Sequence, residues 1–234
     1  MRLLHTGDWH VGKALRGASR ADEHRAVLDE IVGIAEAHEV DLVVVAGDLF
    51  DTAAPSPESQ GLVYDALLRL AAGGTEVEVV AGNHDNARAL SVLAPLFARS
   101  GVAVAGDLRR PDDGGVHRFV ARDGAPVNVA LVPFVSKRGI VRAEQLMSTA
   151  AFEQAQAYSQ RMDQLIGALC TPFTGDAVNV LVAHAFVHGG ATGGGERAAH
   201  LVEEYAVLAP SFPATAGYVA LGHLHRDQQI AGAT

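Results

Sequence analysis

Asp41-Leu42-Val43-Val44-Val45-Ala46-Gly47-Asp48, residues 41–48, carries an unbroken aliphatic run into a glycine and then a carboxylate. A short block of Val and Leu without polar alternation reads as a strand buried on both faces, the kind found in parallel sheets covered by helices. The same order recurs along the chain. Arg2-Leu3-Leu4-His5-Thr6 leads to Asp8-Trp9-His10, and Val77-Glu78-Val79-Val80-Ala81 leads to Gly82-Asn83-His84-Asp85. Asn179-Val180-Leu181-Val182-Ala183 leads to His184, and Tyr218-Val219-Ala220-Leu221 to Gly222-His223-Leu224-His225. Ligands of layered α/β proteins gather beyond the carboxyl ends of such strands, so five strands would bring five polar fragments to one rim.

Helical periods separate the runs. Residues 20–39 place Val27, Leu28, Ile31, Ile34 and Ala35 at helical spacing, and Leu62, Leu67, Leu68 and Leu70 mark a second helix that stops at Gly73-Gly74. A third helix is expected over residues 142–169. Apolar runs at 102–105, 117–121 and 127–132 are expected to form a second sheet, and residues 52–57 and 188–196 read as loops.

The five fragments share a chemistry. Asp, Asn and His offer a mixed oxygen and imidazole shell that suits Mn²⁺, Fe²⁺ or Zn²⁺, and no cysteine is among them. This many ligands fits two ions better than one. A bridging carboxylate, for which Asp48 is the choice, would hold two ions about 3.5–4 Å apart, the spacing with which two-metal hydrolases stabilise attacking and leaving oxygens. Gly47, Gly82 and Gly222 directly precede ligands, where a tight turn or close backbone approach is needed.

The set D-x-H, G-D, G-N-H-D, a single His after a strand, and G-H-x-H resembles the signature of calcineurin-like metallophosphoesterases. Residues 1–12, residues 45–52 and Gly222-His223-Leu224-His225 are similar to the SbcD-type DNA nuclease subunits within it, and the likeness runs to about residue 232. Phosphoprotein phosphatases of the superfamily carry G-D-x-x-D-R-G and G-N-H-E; this chain has Thr52 and Asp85 at the Arg and Glu positions. The resemblance implies an α/β fold, an αββα sandwich of two mixed β-sheets flanked by helices, with residues 1–234 forming the nuclease domain. The capping domain and the C-terminal ATPase-binding segment of such proteins are then expected to lie outside this sequence.

Carried over by residue, the resemblance gives the first ion to Asp8, His10, Asp48 and His225. The second goes to Asp48, Asn83, His184 and His223. His84 would face the substrate phosphate and help the leaving oxygen depart, with Asp85 orienting it. The implied reaction is direct hydrolysis of DNA phosphodiesters by an activated water with two divalent ions, Mn²⁺ foremost. It would act as a 3′-to-5′ exonuclease on duplex ends and an endonuclease on hairpins or single strands. Implied partners are DNA, an SbcC-type coiled-coil ATPase and a second copy of the chain.

Outside the motifs, Arg88 and the pair Lys137-Arg138 are placed to contact phosphates, although a solvated charge is the ordinary role for each. Trp9 and Phe50 read as packing residues. His188 lies near a ligand in sequence, and His5, His24, His38, His117 and His200 read as structural. The formal net charge of −9 opposes binding to a polyanion, since DNA affinity comes largely from Lys and Arg. Two divalent ions offset part of that charge. Lys13 and Lys137 are the only lysines, so tight DNA binding is expected from a second copy, a partner or further sequence. Cys170 is the single cysteine, which excludes an internal disulfide and suggests a reducing cytoplasm. No apolar run reaches the length of a membrane span, and with a ligand motif so near Met1 no signal peptide is expected. Two other functions fit the motifs less well: a small-molecule (cyclic nucleotide) phosphodiesterase, and a non-catalytic scaffold that holds DNA ends.

Overall fold

The computed structural model describes residues 1–136, 158–193 and 206–230. Strands β1 (Leu3–Thr6), β2 (Leu42–Val45), β3 (Glu76–Val80) and β4 (Val102–Ala105) form one sheet in that order, parallel throughout. Parallel neighbours need crossovers, which are helices here: α1 (Ala21–Ala37), α2 (Pro57–Ala71) and α3 (Ala87–Phe97). The second sheet runs β5 (Val116–Val120), β6 (Pro126–Val132), β7 (Val178–His184) and β8 (Tyr218–Gly222), with α4 (Tyr158–Leu169) packed on it. Only the β5–β6 pair is antiparallel, so this sheet is mixed. Among the described residues, no helix is long and apolar enough to cross a membrane.

The αββα sandwich is therefore as expected, with two corrections. The first sheet is parallel rather than mixed. Residues 102–105 close that first sheet as β4, while β7 and β8, which lead to His184 and His223, belong to the second. Strand patterning alone does not say which sheet a buried run joins, because every such run is apolar on both faces.

Three apolar layers explain those two-faced strands. Val43 and Val45 face the helices with Leu28, Val32 and Val63, whereas Leu42 and Val44 face Val127, Val129 and Val180 across the sandwich. On β7, Leu181 and Ala183 turn outward to Leu165, Ile166 and Leu169 of α4. Fully burying each such Val or Leu contributes about 1.5–3 kcal/mol.

The helices depart in detail from their sequence patterns. α1 buries Leu28, Val32 and Ala35, a narrower stripe than expected, leaving Val27 and Ile34 exposed; Leu68 of α2 is exposed as well. Pro57, expected in a loop, opens α2, with Ser56 Oγ accepting from Ser59 N as the N-cap. α3, which is not among the expected helices, is capped by Asn86 through Ala89 N; Pro95, lacking a donor, blurs its pattern. The expected third helix is seen as α4, and its start near residue 142 lies outside the described residues.

One acid enters the layer between the sheets. Glu78 of β3 is 2% exposed, and its carboxylate lies 2.9 Å from His117 Nδ1 of β5. Burial pushes the Glu78 carboxyl up, and the Glu78 carboxylate in turn raises His117.

At one rim the carboxyl ends of β1, β2 and β3 meet those of β7 and β8. His184 Nδ1 donates to Ala46 O at 2.7 Å, joining the two sheets there. A Cβ on Gly222 would lie 1.9 Å from that same carbonyl oxygen, so only glycine lets β8 approach β2 this closely.

Candidate metal centre

The residues after these strands sit on strained backbone. Asp8, His10, Asp48 and His223 have φ of 51°, 45°, 50° and 96°, a region that costs a non-glycine residue on the order of 1 kcal/mol or more. Neighbouring loops hold them there. Asp8 N donates to Gly47 O and His10 N to Asp48 O, and His223 N donates to the Asp8 carboxylate at 3.1 Å to each oxygen.

Two groups of donor atoms result. In one, His10 Nε2 and His225 Nε2 face each other at 3.0 Å, and Asp8 Oδ1 lies 3.7 Å from His225 Nε2. In the other, His184 Nε2 and His223 Nδ1 are 3.2 Å apart and stand 2.9 and 2.8 Å from Asn83 Oδ1. Asp48 Oδ2 lies between the groups, 3.7 Å from His10 Nε2 and 3.5 Å from His184 Nε2. The structure thus brings together all seven side chains expected as ligands: Asp8, His10, Asp48, Asn83, His184, His223 and His225.

The arrangement fits divalent cations on its own chemistry. Because His184 Nδ1 must donate to the Ala46 carbonyl, neutral His184 has only a lone pair at Nε2, which points at another acceptor, Asn83 Oδ1. A cation between them converts that repulsion into coordination. His10 is pushed down to about 3, first by burial and then by neighbouring imidazoles, so it is a neutral donor at ordinary pH. Burial pushes Asp48 up, offset in part by His84 N, which donates to Asp48 Oδ1 at 2.8 Å. Nitrogen and oxygen donors without sulfur agree with a hard or borderline ion.

His84 and Asp85 do not form the expected pair. His84 Nδ1 donates to the backbone oxygen of Asp51 at 2.7 Å, which fixes its tautomer and leaves Nε2 for proton handling. Its ring meets that of His10 edge-on at 4.7 Å, and it also falls within ligand distance of His10 and Asp48. Asp85 instead accepts from three backbone donors: Gly82 N at 2.9 Å, Phe50 N at 3.0 Å and Leu49 N at 3.2 Å. It pins the loop of Asp48 to the loop of Asn83 rather than orienting an imidazole. Burial pushes it up to about 6, with those N–H groups pulling the other way.

Other expected residues fall as follows. Arg88 is exposed on the first turn of α3, outside the ligand groups, and His188 is exposed. Trp9 packs on the core with Nε1 donating to Thr6 Oγ1 at 2.8 Å, and Phe50 is buried. Lys137, Arg138 and His200 lie outside the described residues. Two contributors escape the sequence reading. Asp51 Oδ1 lies 3.6 Å from His10 Nδ1 behind the first group, and Phe134 packs its ring against His223. Asp51 was visible as a carboxylate three residues after Asp48; Phe134 carried no signal.

A cleft of about 1390 Å³ opens from Asp8, His10 and His225 and continues past Lys13, Arg20, His24 and Arg226. Of these, Arg20 is paired with Glu23 at 2.7 Å. Lys13 and Arg226 thus line the cleft beside the centre, together with Asp227.

Comparison with known proteins agrees with this geometry. The chain is 37% identical over 233 residues to the SbcD component of the Bacillus subtilis SbcCD nuclease, covering 98% of this chain and 58% of that protein. The corresponding SbcCD components from Rhodobacter capsulatus and Escherichia coli K12 are 33% and 32% identical, each across 99% of this chain and 60% and 58% of their own length. The chain thus spans somewhat under two thirds of these relatives. The model for calcineurin-like phosphoesterases matches residues 1–227, and the chain belongs to that family.

Proposed function

We propose that this chain is the nuclease domain of a metal-dependent DNA nuclease that hydrolyses phosphodiesters at a two-ion centre. Asp8, His10, Asp48 and His225 hold one ion, and Asp48, Asn83, His184 and His223 the other. The observation that carries the reading is Asp48 Oδ2 set between two pairs of facing imidazole nitrogens. Bound divalent ions, Mn²⁺ foremost, would supply positive charge to the phosphate and acidify a water. The protein's own residues do the rest. His84, held through Nδ1–H by Asp51 O, would in its imidazolium form give the Nε2 proton to the departing sugar oxygen and be left as the neutral Nδ1–H imidazole. Asp85 keeps the Asp48 and Asn83 loops in register, so the donors need no rearrangement as charge develops. The cleft of about 1390 Å³, which runs on from the centre past Lys13 and Arg226, has room for an extended substrate and two cations to contact its phosphates. By likeness to the SbcCD proteins, the partner is a coiled-coil ATPase of the SbcC type, and the assembly is built on a homodimer.

The test is digestion of linear duplex DNA labelled at its 3′ end, with Mn²⁺, by this chain and by His84→Ala. Loss of label that falls by about 10²–10⁴ in the variant supports the reading. Equal loss in both would remove His84 from the mechanism. No loss in either, together with turnover of a small diester, would replace DNA by a small-molecule substrate.

A further inference from the structure

We infer that Phe134 is a positioning residue for His223 and sets how tightly the second ion is held; the inference rests on the two-ion reading above. Phe134 lies two residues past β6, and its backbone N–H donates to Ala81 O at 2.8 Å, tying it to the loop that carries Asn83. Its ring is stacked on His223, with centroids 6.0 Å apart and planes 23° from parallel. It meets His184 edge-on at 6.2 Å and 78°. Phe186 adds a second phenyl, edge-on to His223 at 6.5 Å and 65°.

His223 is the ligand that most needs such support. It sits at φ 96° and offers Nδ1, whereas His10, His184 and His225 turn Nε2 to the centre. Nδ1 lies next to the ring's attachment to Cβ, so a small rotation of the ring plane swings its lone pair off the Asn83 and His184 donor atoms. That torsion is broad and soft in histidine. A phenyl face lying along the imidazole limits the rotation by van der Waals contact, and its apolar surface keeps water from competing for the nitrogen. The imidazoles of the first group contact one another and His84, whereas both histidines that Phe134 meets, His184 and His223, belong to the second. The support therefore acts on one ion and not the other.

The experiment is a Mn²⁺ titration of the intact chain, with free Mn²⁺ followed by electron paramagnetic resonance. It compares wild type, Phe134→Leu and Phe134→Tyr, with the melting temperature of each metal-free protein recorded alongside. Wild type should bind two ions. Phe134→Leu, which keeps an apolar side chain, should weaken one of them by about 10–100-fold, the usual effect of losing support behind a ligand, and leave the other unchanged. Phe134→Tyr, which keeps the ring, should restore it. Two unchanged affinities in Phe134→Leu would overturn the inference, as would equal weakening of both ions or failure of Phe134→Tyr to rescue. Wild type binding fewer than two ions would instead overturn the two-ion reading itself.

Discussion

Replacing His117 by alanine should loosen the sandwich without touching the metal centre. Glu78 projects from β3 into the apolar layer between the sheets, 2% exposed, and His117 of the opposite sheet lies 2.9 Å from its carboxylate. Removing one partner of a fully buried ion pair costs about 3–5 kcal/mol, because a charge is left without compensation. The His117 side chain is 32% exposed, so water screens one end of this pair. The expected loss is therefore about 2 kcal/mol, between the buried and surface limits. For a domain of this size that corresponds to a fall of roughly 4–8 °C in Tm. Glu78→Gln, similar in shape but uncharged, should cost less, and His117→Ala should cost little in that background. The pH dependence has a definite sign. Both groups are raised from ordinary values of 4.5 and 6.5, so the folded protein keeps protons that the unfolded chain has released. The stability His117 contributes is complete below pH 6.5 and is lost as pH rises through its higher folded value. Thermal unfolding followed by circular dichroism from pH 5.5 to 8.5 should thus show a steeper fall for wild type than for Glu78→Gln. The reasoning is refuted if His117→Ala melts within about 1 °C of wild type, well inside the expected shift, or if the two pH slopes coincide.

Three further outcomes are expected. Gly222→Ala should cost Mn²⁺ binding by equilibrium dialysis, because its Cβ would sit 1.9 Å from Ala46 O and 3.0 Å from His184 Nδ1 and must push β8 from the rim; retention of two ions would count against that packing. Asp85→Ala leaves three backbone donors without their acceptor, and urea unfolding should show a loss of about 3 kcal/mol or more; a change under 1 kcal/mol would mean that water replaces the carboxylate without cost. Mn²⁺ at a hundredfold excess over its Kd should stabilise the fold by about 2.7 kcal/mol per site, reversed by a chelator; an unchanged Tm would argue that the loops do not hold ions.

Much of the site was legible because its ligands follow strands directly. An aliphatic run ending in glycine and then Asp, Asn or His says both where the strand stops and what lies at its end, as at Val45-Ala46-Gly47-Asp48. Support behind the ligands was harder to read. The resemblance pairs Asp85 with His84, yet in the folded chain the Asp85 carboxylate reaches the backbone N–H groups of Leu49 and Phe50 instead. α3 was hidden by Pro95, and the width of α1's apolar face misled because Val27 and Ile34 are exposed in the folded chain.

By itself the sequence determined the αββα class, the donor chemistry and the membership of the rim, since apolar runs and ligand types are local properties of the chain. Tertiary structure alone decided that β4 completes the first sheet while β7 and β8 complete the second, that Ala46 O fixes the tautomer of His184, and that Phe134 lies along His223. Those contacts join residues remote in sequence, and a strand apolar on both faces fits either sheet until packing of the whole sandwich selects one arrangement.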